Sequence, residues 1–269
     1  MKDGMGHDVT IPASAQRVWA PYLEDPLVAL GITPVGQWSR GKVVSDYLQP
    51  YLKDVPNIDF SGGGLNAENV MSLNPDLIVL FASALAQNGK YEQYSKIAPT
   101  YVFNDVNDPR ETLRTLAKMF NKTDKAEKVI QEYDLKVKQA KEKLQPVVGN
   151  KTVALIEATH DGLVLIGKQF FSGQVLYGDL GLNAPELAKG WDVISMEKLP
   201  DLKADYIFMI VPEDGKAKAQ ELLASSVWKG LPAVKQGHVF QVSYGNWINN
   251  GMIANGLTVD EAVKALTKQ

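Results

Sequence analysis

Side chains able to grip a small ligand stand in this sequence where apolar runs end. In the first half they are Tyr22, Trp38 with Ser39 and Arg40, Ser61 with Gly62 and Gly63, Ser83 to Gln87, and Asn104 with Asp105. In the second half they are Thr159 with His160, Lys168 to Phe171 (Phe170 among them), Pro212 with Glu213, and Tyr244 to Trp247. Rings offer flat apolar faces, Arg and Lys offer charge-assisted hydrogen bonds, and small polar groups fix orientation. This is the chemistry of holding. The chemistry of bond breaking is not visible beside it. Absence of cysteine excludes thiolate nucleophiles, thiolate metal sites and disulfides. Only three histidines, His7, His160 and His238, make a multi-histidine metal centre hard to build. No Ser-His-Asp order with a nucleophile elbow occurs. Ser61-Gly62-Gly63-Gly64 lacks the Gly-Lys-Ser/Thr that would make a phosphate loop, so it reads as a flexible turn. Asn121-Lys122-Thr123 fits the glycosylation pattern, a common chance match.

Composition narrows the classes further. The chain has 269 residues, 45% apolar and 22% charged, ordinary values for a globular protein with a substantial core. A formal charge of −3 supplies no basic field for nucleic acid or an anionic membrane. No apolar run approaches the roughly 20 residues of a membrane span. Met1–Asp8 is polar and glycine-rich without a signal peptide's apolar stretch, which leaves a cytoplasmic protein or an extracytoplasmic one whose leader has been removed.

The elements that position these loops alternate. Strands are expected at Val9–Ile11, Arg17–Ala20, Thr33–Trp38, Ile58–Phe60, Asp76–Phe81 and Thr100–Phe103, with helices between them. One begins at Pro26 under an Asp25 cap and ends at Gly31, and another covers Pro109–Phe120. Short strands without in/out alternation indicate a parallel sheet covered on both faces. Thr123–Gln145 then carries Ala126, Val129, Ile130, Tyr133, Val137, Ala140 and Leu144 at three- and four-residue steps. That is one apolar stripe on a helix about 33 Å long, with a Glu132–Lys136 pair, a cap at Thr123 or Asp124 and a stop at Pro146. Beyond it the pattern restarts. Strands are expected at Lys151–Glu157, Leu163–Ile166 (the return of a hairpin), Tyr206–Val211 and His238–Val242. Helices are expected at Gln174–Leu180, Lys216–Ala224 and Leu257–Leu266. Trp191 and Trp228 flank helices and read as structural.

One segment recurs. Asn66–Ile78 and Ser195–Ile207 align so that Glu68 matches Glu197, Val70 matches Leu199, Asp76 matches Asp205 and Ile78 matches Ile207. Each reads as a capped short helix with a first-turn glutamate, a turn and a buried strand, which indicates two lobes on one plan. A first-turn glutamate has a local reason, the positive end of the helix dipole.

The order lobe, single long helix, lobe, with this repeat, resembles the substrate-binding proteins of ferric-siderophore and vitamin B12 ABC transporters, the helical-backbone class III periplasmic binding proteins. The phrases that carry it are residues 17–31, 34–38, 74–79, 94–100, 170–182, 228–234 and 237–242, spread over nearly the whole chain. The resemblance implies an α/β fold of two Rossmann-like lobes with mainly parallel sheets, residues 1–122 and 147–269. They are joined by a backbone helix, 123–146, with a ligand groove between the lobes. A helical strut resists bending, so closure on ligand should be small. The resemblance also implies that Glu68 and Glu197 dock onto arginines of a permease dimer.

Because ligands of open parallel sheets bind beyond the carboxyl ends of strands, the expected ligand set is Tyr22, Trp38, Arg40, Ser61, Ser83, Asn104, His160, Lys168, Phe170, Phe171, Tyr244 and Trp247. Family members that bind tris-catecholates place several cations on these loops. Here the loops carry Ser83-Ala84-Leu85 and Asn104-Asp105, leaving Arg40, Lys42 and Lys168. That favours a ferric hydroxamate or citrate–hydroxamate. The expected protein is a monomeric, extracytoplasmic, non-enzymatic binding protein, periplasmic or lipid-anchored. It has no intrinsic cofactor and no direct metal ligands, and carries ferric iron only as a siderophore chelate. Haem or cobalamin on the same fold, with His160 or a tyrosine as axial ligand, is the alternative. A two-lobed enzyme such as a sugar-nucleotide transferase is the reading from another class.

Overall fold

Strands with apolar side chains on both faces are stable only when helices cover the sheet on each side, and both halves of the chain follow that rule. The computed structural model describes residues 1–41, 43–61 and 66–267. Lys42, Gly62, Gly63 and Gly64, singled out above, lie outside the described residues. The chain divides into two units, Met1–Glu132 with Asn250–Ile253, and Tyr133–Asn249 with Ala254–Gln269.

In the first unit the strands are β1 (Val18–Trp19), β2 (Gln37–Ser39), β3 (Asn57–Asp59), β4 (Leu77–Leu80) and β5 (Thr100–Val102). β1, β4 and β5 form one parallel sheet in that order, and β2 pairs in parallel with β3. Trp19, Val70, Ile78, Leu80, Tyr94 and Val102 make the core beneath them. The strand expected at Val9–Ile11 is absent. The residues before it, Asp3–His7, turn on the Asp3 carboxylate, which accepts the N–H groups of Met5 and His7 at 3.0 and 2.8 Å, and the Val9 N–H goes to the nearby Met1 carbonyl at 2.8 Å, so the bonding here is local. Asp25 is no cap either. It sits inside the helix Glu24–Ala29, 2% exposed, accepting Tyr47 Oη at 3.0 Å and the Ile253 N–H at 3.1 Å. Three residues before Ile253, Asn250 Nδ2 donates to the carbonyls of Val106 and Asn107, both at 3.1 Å. These bonds are why 250–253 belong with this unit.

The second unit contains β6 (Val153–Thr159), β7 (Gly162–Ile166), β8 (Trp191–Ile194), β9 (Tyr206–Ile210) and β10 (Val239–Val242), ordered β10-β9-β6-β7-β8. β6, β9 and β10 are parallel. β7 and β8 are antiparallel additions through the expected hairpin. The edge strand β8, Trp191–Ile194, exposes both Asp192 and Val193, so its four residues show neither a continuous buried run nor an in/out alternation that would mark a strand in the sequence.

The repeat is structural as well as textual. Val70 and Leu199 are buried, and Asn74 and Lys203, at matching positions, both take left-handed backbone, φ 45° and 46°. The Asp76 carboxylate accepts the N–H groups of Gln16 and Arg17 at 2.8 and 2.9 Å, and Asp205 accepts Thr152 N–H at 2.8 Å. Each aspartate thus fastens the chain entering the neighbouring parallel strand. Asp76→Ala is expected to cost about 2 kcal/mol in urea titration. Asp205→Ala, which loses one acceptor contact with the backbone instead of two, is expected to cost less; equal losses would refute this account of the two carboxylates.

The long helix runs Thr123–Val148, and the division between the units falls inside it. All the stripe residues are buried except Val129, which is half-buried. Pro146 does not stop it. Lying two residues from the end, the proline forfeits one backbone hydrogen bond, and Val148 extends the buried stripe. Gly149, at φ 52°, then closes the turn onto the Gln145 carbonyl. The Glu132–Lys136 pair does not form either. Glu132 meets Lys128 at 3.9 Å, and Lys136 pairs with Asp260.

Candidate functional site

At the carboxyl ends of the first unit's strands, four rings form a row. Phe60 follows β3, Trp38 lies in β2, Tyr22 follows β1 and Phe81 follows β4. Neighbouring centroids are 6.3 Å apart for Phe60–Trp38, 5.8 Å for Trp38–Tyr22 and 5.0 Å for Tyr22–Phe81. All four are half-buried, so each presents part of its surface. Tyr22 reaches the row because its backbone turns back at φ 66°, strained for a bulky residue. Tyr22 and Trp38 were expected here. Phe60 and Phe81 were read as strand.

Around this row the polar candidates divide. Arg40 is exposed, and Ser39 beside it is fully buried. Ser61 Oγ donates to Asp59 Oδ1 at 2.6 Å, and the same oxygen accepts the N–H groups of Ser61 and Gly41, both at 2.8 Å. The Ser61 hydroxyl, followed by these two N–H groups, holds the Asp59 carboxyl below its usual range. Ser61 therefore staples two loops together through Asp59. Ser83, half-buried, opens a short 3-10 turn after β4, and Asn104 is exposed after β5.

Behind the row lies Glu24, 7% exposed, whose Oε1 accepts the Trp38 N–H at 2.6 Å. Burial pushes its carboxyl up from 4.5 to about 7, against the lowering effect of the Trp38, Glu24 and Tyr22 N–H groups and with a small push from Asp25. The folded state therefore holds a proton that the unfolded chain has released between those values. Stability is greatest below the unfolded value and falls as pH rises through 7, by about 3 kcal/mol in all. Glu24→Gln is expected to raise the thermal midpoint at pH 8 and leave it unchanged at pH 4. A gain of equal size at both would mean that the carboxyl stays ionised.

In the second unit the hairpin separates the candidates. His160 tips the β6–β7 turn, exposed and paired with Asp161 at 2.9 Å. Because β7 runs antiparallel, Lys168, Phe170 and Phe171 leave it at the end of the sheet where β6 begins, and not beside His160. Phe170 and Phe171 pack edge-on against Trp191, at 6.1 and 5.5 Å, in a second ring cluster. Trp191, taken as structural from sequence, thereby joins them. Tyr244, half-buried, follows β10. Trp247 does not face outward as expected. It is 0% exposed, with its ring 4.8 Å from Phe208 and its indole N–H donated to Glu261. Its carbonyl accepts Ser172 Oγ at 2.7 Å, which ties the loop of Phe170 and Phe171 to the loop of Tyr244.

The two repeat glutamates stand elsewhere. Glu68 is exposed in the first turn of the helix Ala67–Ser72, capped by Asn66 Oδ1 on the Asn69 N–H at 2.7 Å. Glu197 is exposed in the first turn of the 3-10 helix Met196–Leu202, and its own N–H with the Ser195 hydroxyl lowers its carboxyl pKa. Both follow the N-terminal dipole rule.

Known proteins resemble this chain in sequence and in fold. The chain is 38% identical over 207 residues to the iron(3+)-hydroxamate-binding protein FhuD of Bacillus subtilis, a match covering 73% of this chain and 64% of that protein. It therefore spans less than two thirds of that relative's length. It is 32% identical over 274 residues to the probable siderophore-binding lipoprotein YfiY of the same species, covering 94% of this chain and 82% of the relative. The structure of the FhuD fold-family component of a Fep/Fec-like ferrichrome ABC transporter from Bacillus subtilis matches with a TM-score of 0.82 at 30% identity, over the full length of both chains. The periplasmic binding protein family model matches residues 24–243, more than three quarters of the chain, so the chain belongs to the periplasmic binding protein family, whose members bind solutes and are not enzymes.

Proposed function

We propose that the chain captures a ferric siderophore outside the cytoplasm, as a monomer in the periplasm or anchored on the outer face of the membrane, and passes it to an ABC permease. The aromatic row Phe60–Trp38–Tyr22–Phe81 is the observation that carries this reading. A chelate that wraps iron in an organic shell offers apolar surface to rings and few polar groups to bind. Within residues 1–122 the candidate loops carry that row and Arg40, and within residues 147–269 they carry Lys168, Phe170, Phe171 and Tyr244. Among the described ligand-loop residues only Arg40 and Lys168 are cations, while Asp59 and Asp105 add negative charge. A tris-catecholate needs more neutralisation than this. A neutral or weakly charged ferric hydroxamate or citrate–hydroxamate does not. Glu68 and Glu197 then serve as the permease-docking carboxylates. Tryptophan-fluorescence titration with ferric hydroxamate, ferric citrate and ferric catecholate complexes, haemin and cobalamin tests the reading. Saturable submicromolar quenching by a hydroxamate, at least tenfold tighter than by a catecholate, is expected. Folded protein that responds to no ferric complex would end the proposal.

A further inference from the structure

The loop that ends β10 is held from behind by one carboxylate. Glu261 lies on the helix Met252–Thr267, and its Oε2 accepts the Trp247 indole N–H at 2.6 Å while its Oε1 accepts Asn246 Nδ2 at 3.3 Å. Two consecutive residues of the short helix Tyr244–Trp247 thus donate to the two oxygens of one side chain. Asn246, 2% exposed, is also 3.4 Å from Thr258 Oγ1, one turn before Glu261 on the same helix. A carboxylate side chain carries an acceptor on each of its two oxygens, so this one residue serves both donors at once. Trp247 cannot swing away, because its ring is buried on Phe208. It also transmits the restraint, since its carbonyl holds the buried Ser172 hydroxyl and with it the loop carrying Phe170 and Phe171.

We propose that Glu261 is a positioning residue for ligand capture. It fixes Trp247 and Asn246, and through them the placement of Tyr244 on one side and of Phe170 and Phe171 on the other, without touching the ligand itself. The assignment rests on the siderophore-binding reading above. It gives Trp247 a part in the site although its ring is wholly enclosed. Binding in a pre-formed site gains affinity when its loops are ordered beforehand, so loosening them should appear as lost affinity.

The test compares the wild-type chain with Glu261→Ala, Glu261→Gln and Ala262→Gly. The last loosens the same helix but removes no polar contact to the loop. Affinity for ferrioxamine B, a linear ferric trihydroxamate, is measured by calorimetry alongside thermal midpoints and hydrogen exchange at the tryptophan indoles. Glu261→Ala is expected to weaken binding at least tenfold and to accelerate exchange at the Trp247 indole. Glu261→Gln, which keeps one acceptor, should fall between. Ala262→Gly should lower the midpoint with affinity unchanged within twofold. The positioning role is overturned if Glu261→Ala binds like wild type, or if Ala262→Gly loses affinity in proportion to its midpoint. Failure of the siderophore reading shows separately, as wild-type protein that binds no ferric complex at all.

Discussion

Trp38→Ala is expected to weaken ferric-siderophore binding about 30- to 100-fold, a loss of about 2–3 kcal/mol typical of a central aromatic anchor. The position earns that magnitude by its neighbours. Trp38 is the ring that bridges Phe60 and Tyr22, 6.3 and 5.8 Å away, so its removal leaves a gap in the row that neither neighbour can fill. Its backbone is fixed by Glu24, so the ring's direction is set before ligand arrives. Phe81, at the end of the row, touches one ring of the set, and Phe81→Ala is expected to lose about fivefold. Trp38→Phe should retain most of the affinity, because a smaller ring still separates its neighbours. Calorimetry is the suitable readout, since deleting a tryptophan alters the fluorescence signal itself. Trp38→Ala binding within twofold of wild type, with the midpoint preserved, would remove the row from the site.

What could be read from residues alone was whatever had a local cause. The repeat was visible because its aspartates, turns and first-turn glutamates act within one short segment, and Asp76 and Asp205 do comparable work in both units. Tyr22 and Trp38 were found by asking what stands where a strand ends. Phe60 and Phe81 stand there too, but as the first residues past Asp59 and Leu80 they looked like continuations of apolar runs. In a buried parallel strand, the ring just beyond the last ladder residue is the signal that was passed over. Trp247 was misassigned for a non-local reason. Its donor is satisfied by a carboxylate fourteen residues further on, and its ring is covered by another strand. The direction of β7 was implicit in the hairpin, so Lys168–Phe171 leave the sheet at the end where β6 begins, and the Ser172–Trp247 bond, a long-range contact, is what ties their loop to that of Tyr244. Helix ends were misjudged where proline was read as a stop without counting the hydrogen bonds it actually removes.

Replacing both repeat glutamates, Glu68→Ala with Glu197→Ala, is expected to cut siderophore uptake about 100-fold or more while ligand affinity stays within twofold of wild type. The separation follows from where the carboxylates stand. Each is exposed in a first helical turn, whereas the residue two positions on, Val70 or Leu199, is buried and holds that turn to its own core. Losing either carboxylate therefore removes charge from the surface without loosening the lobe. Hydrogen bonds from its own N–H and from Ser195 keep Glu197 ionised, so it presents a fixed negative charge to a basic partner. If the two act as a pair on a permease dimer, each single variant should retain partial transport and the double variant almost none. Charge reversal at Glu68 alone should then be worse than its removal, because a like charge is placed against the partner. Uptake by cells or proteoliposomes carrying the cognate permease, measured beside calorimetric affinity, decides the matter. Uptake that survives the double substitution would mean that docking uses another surface, and a parallel loss of affinity would return these glutamates to the ligand site.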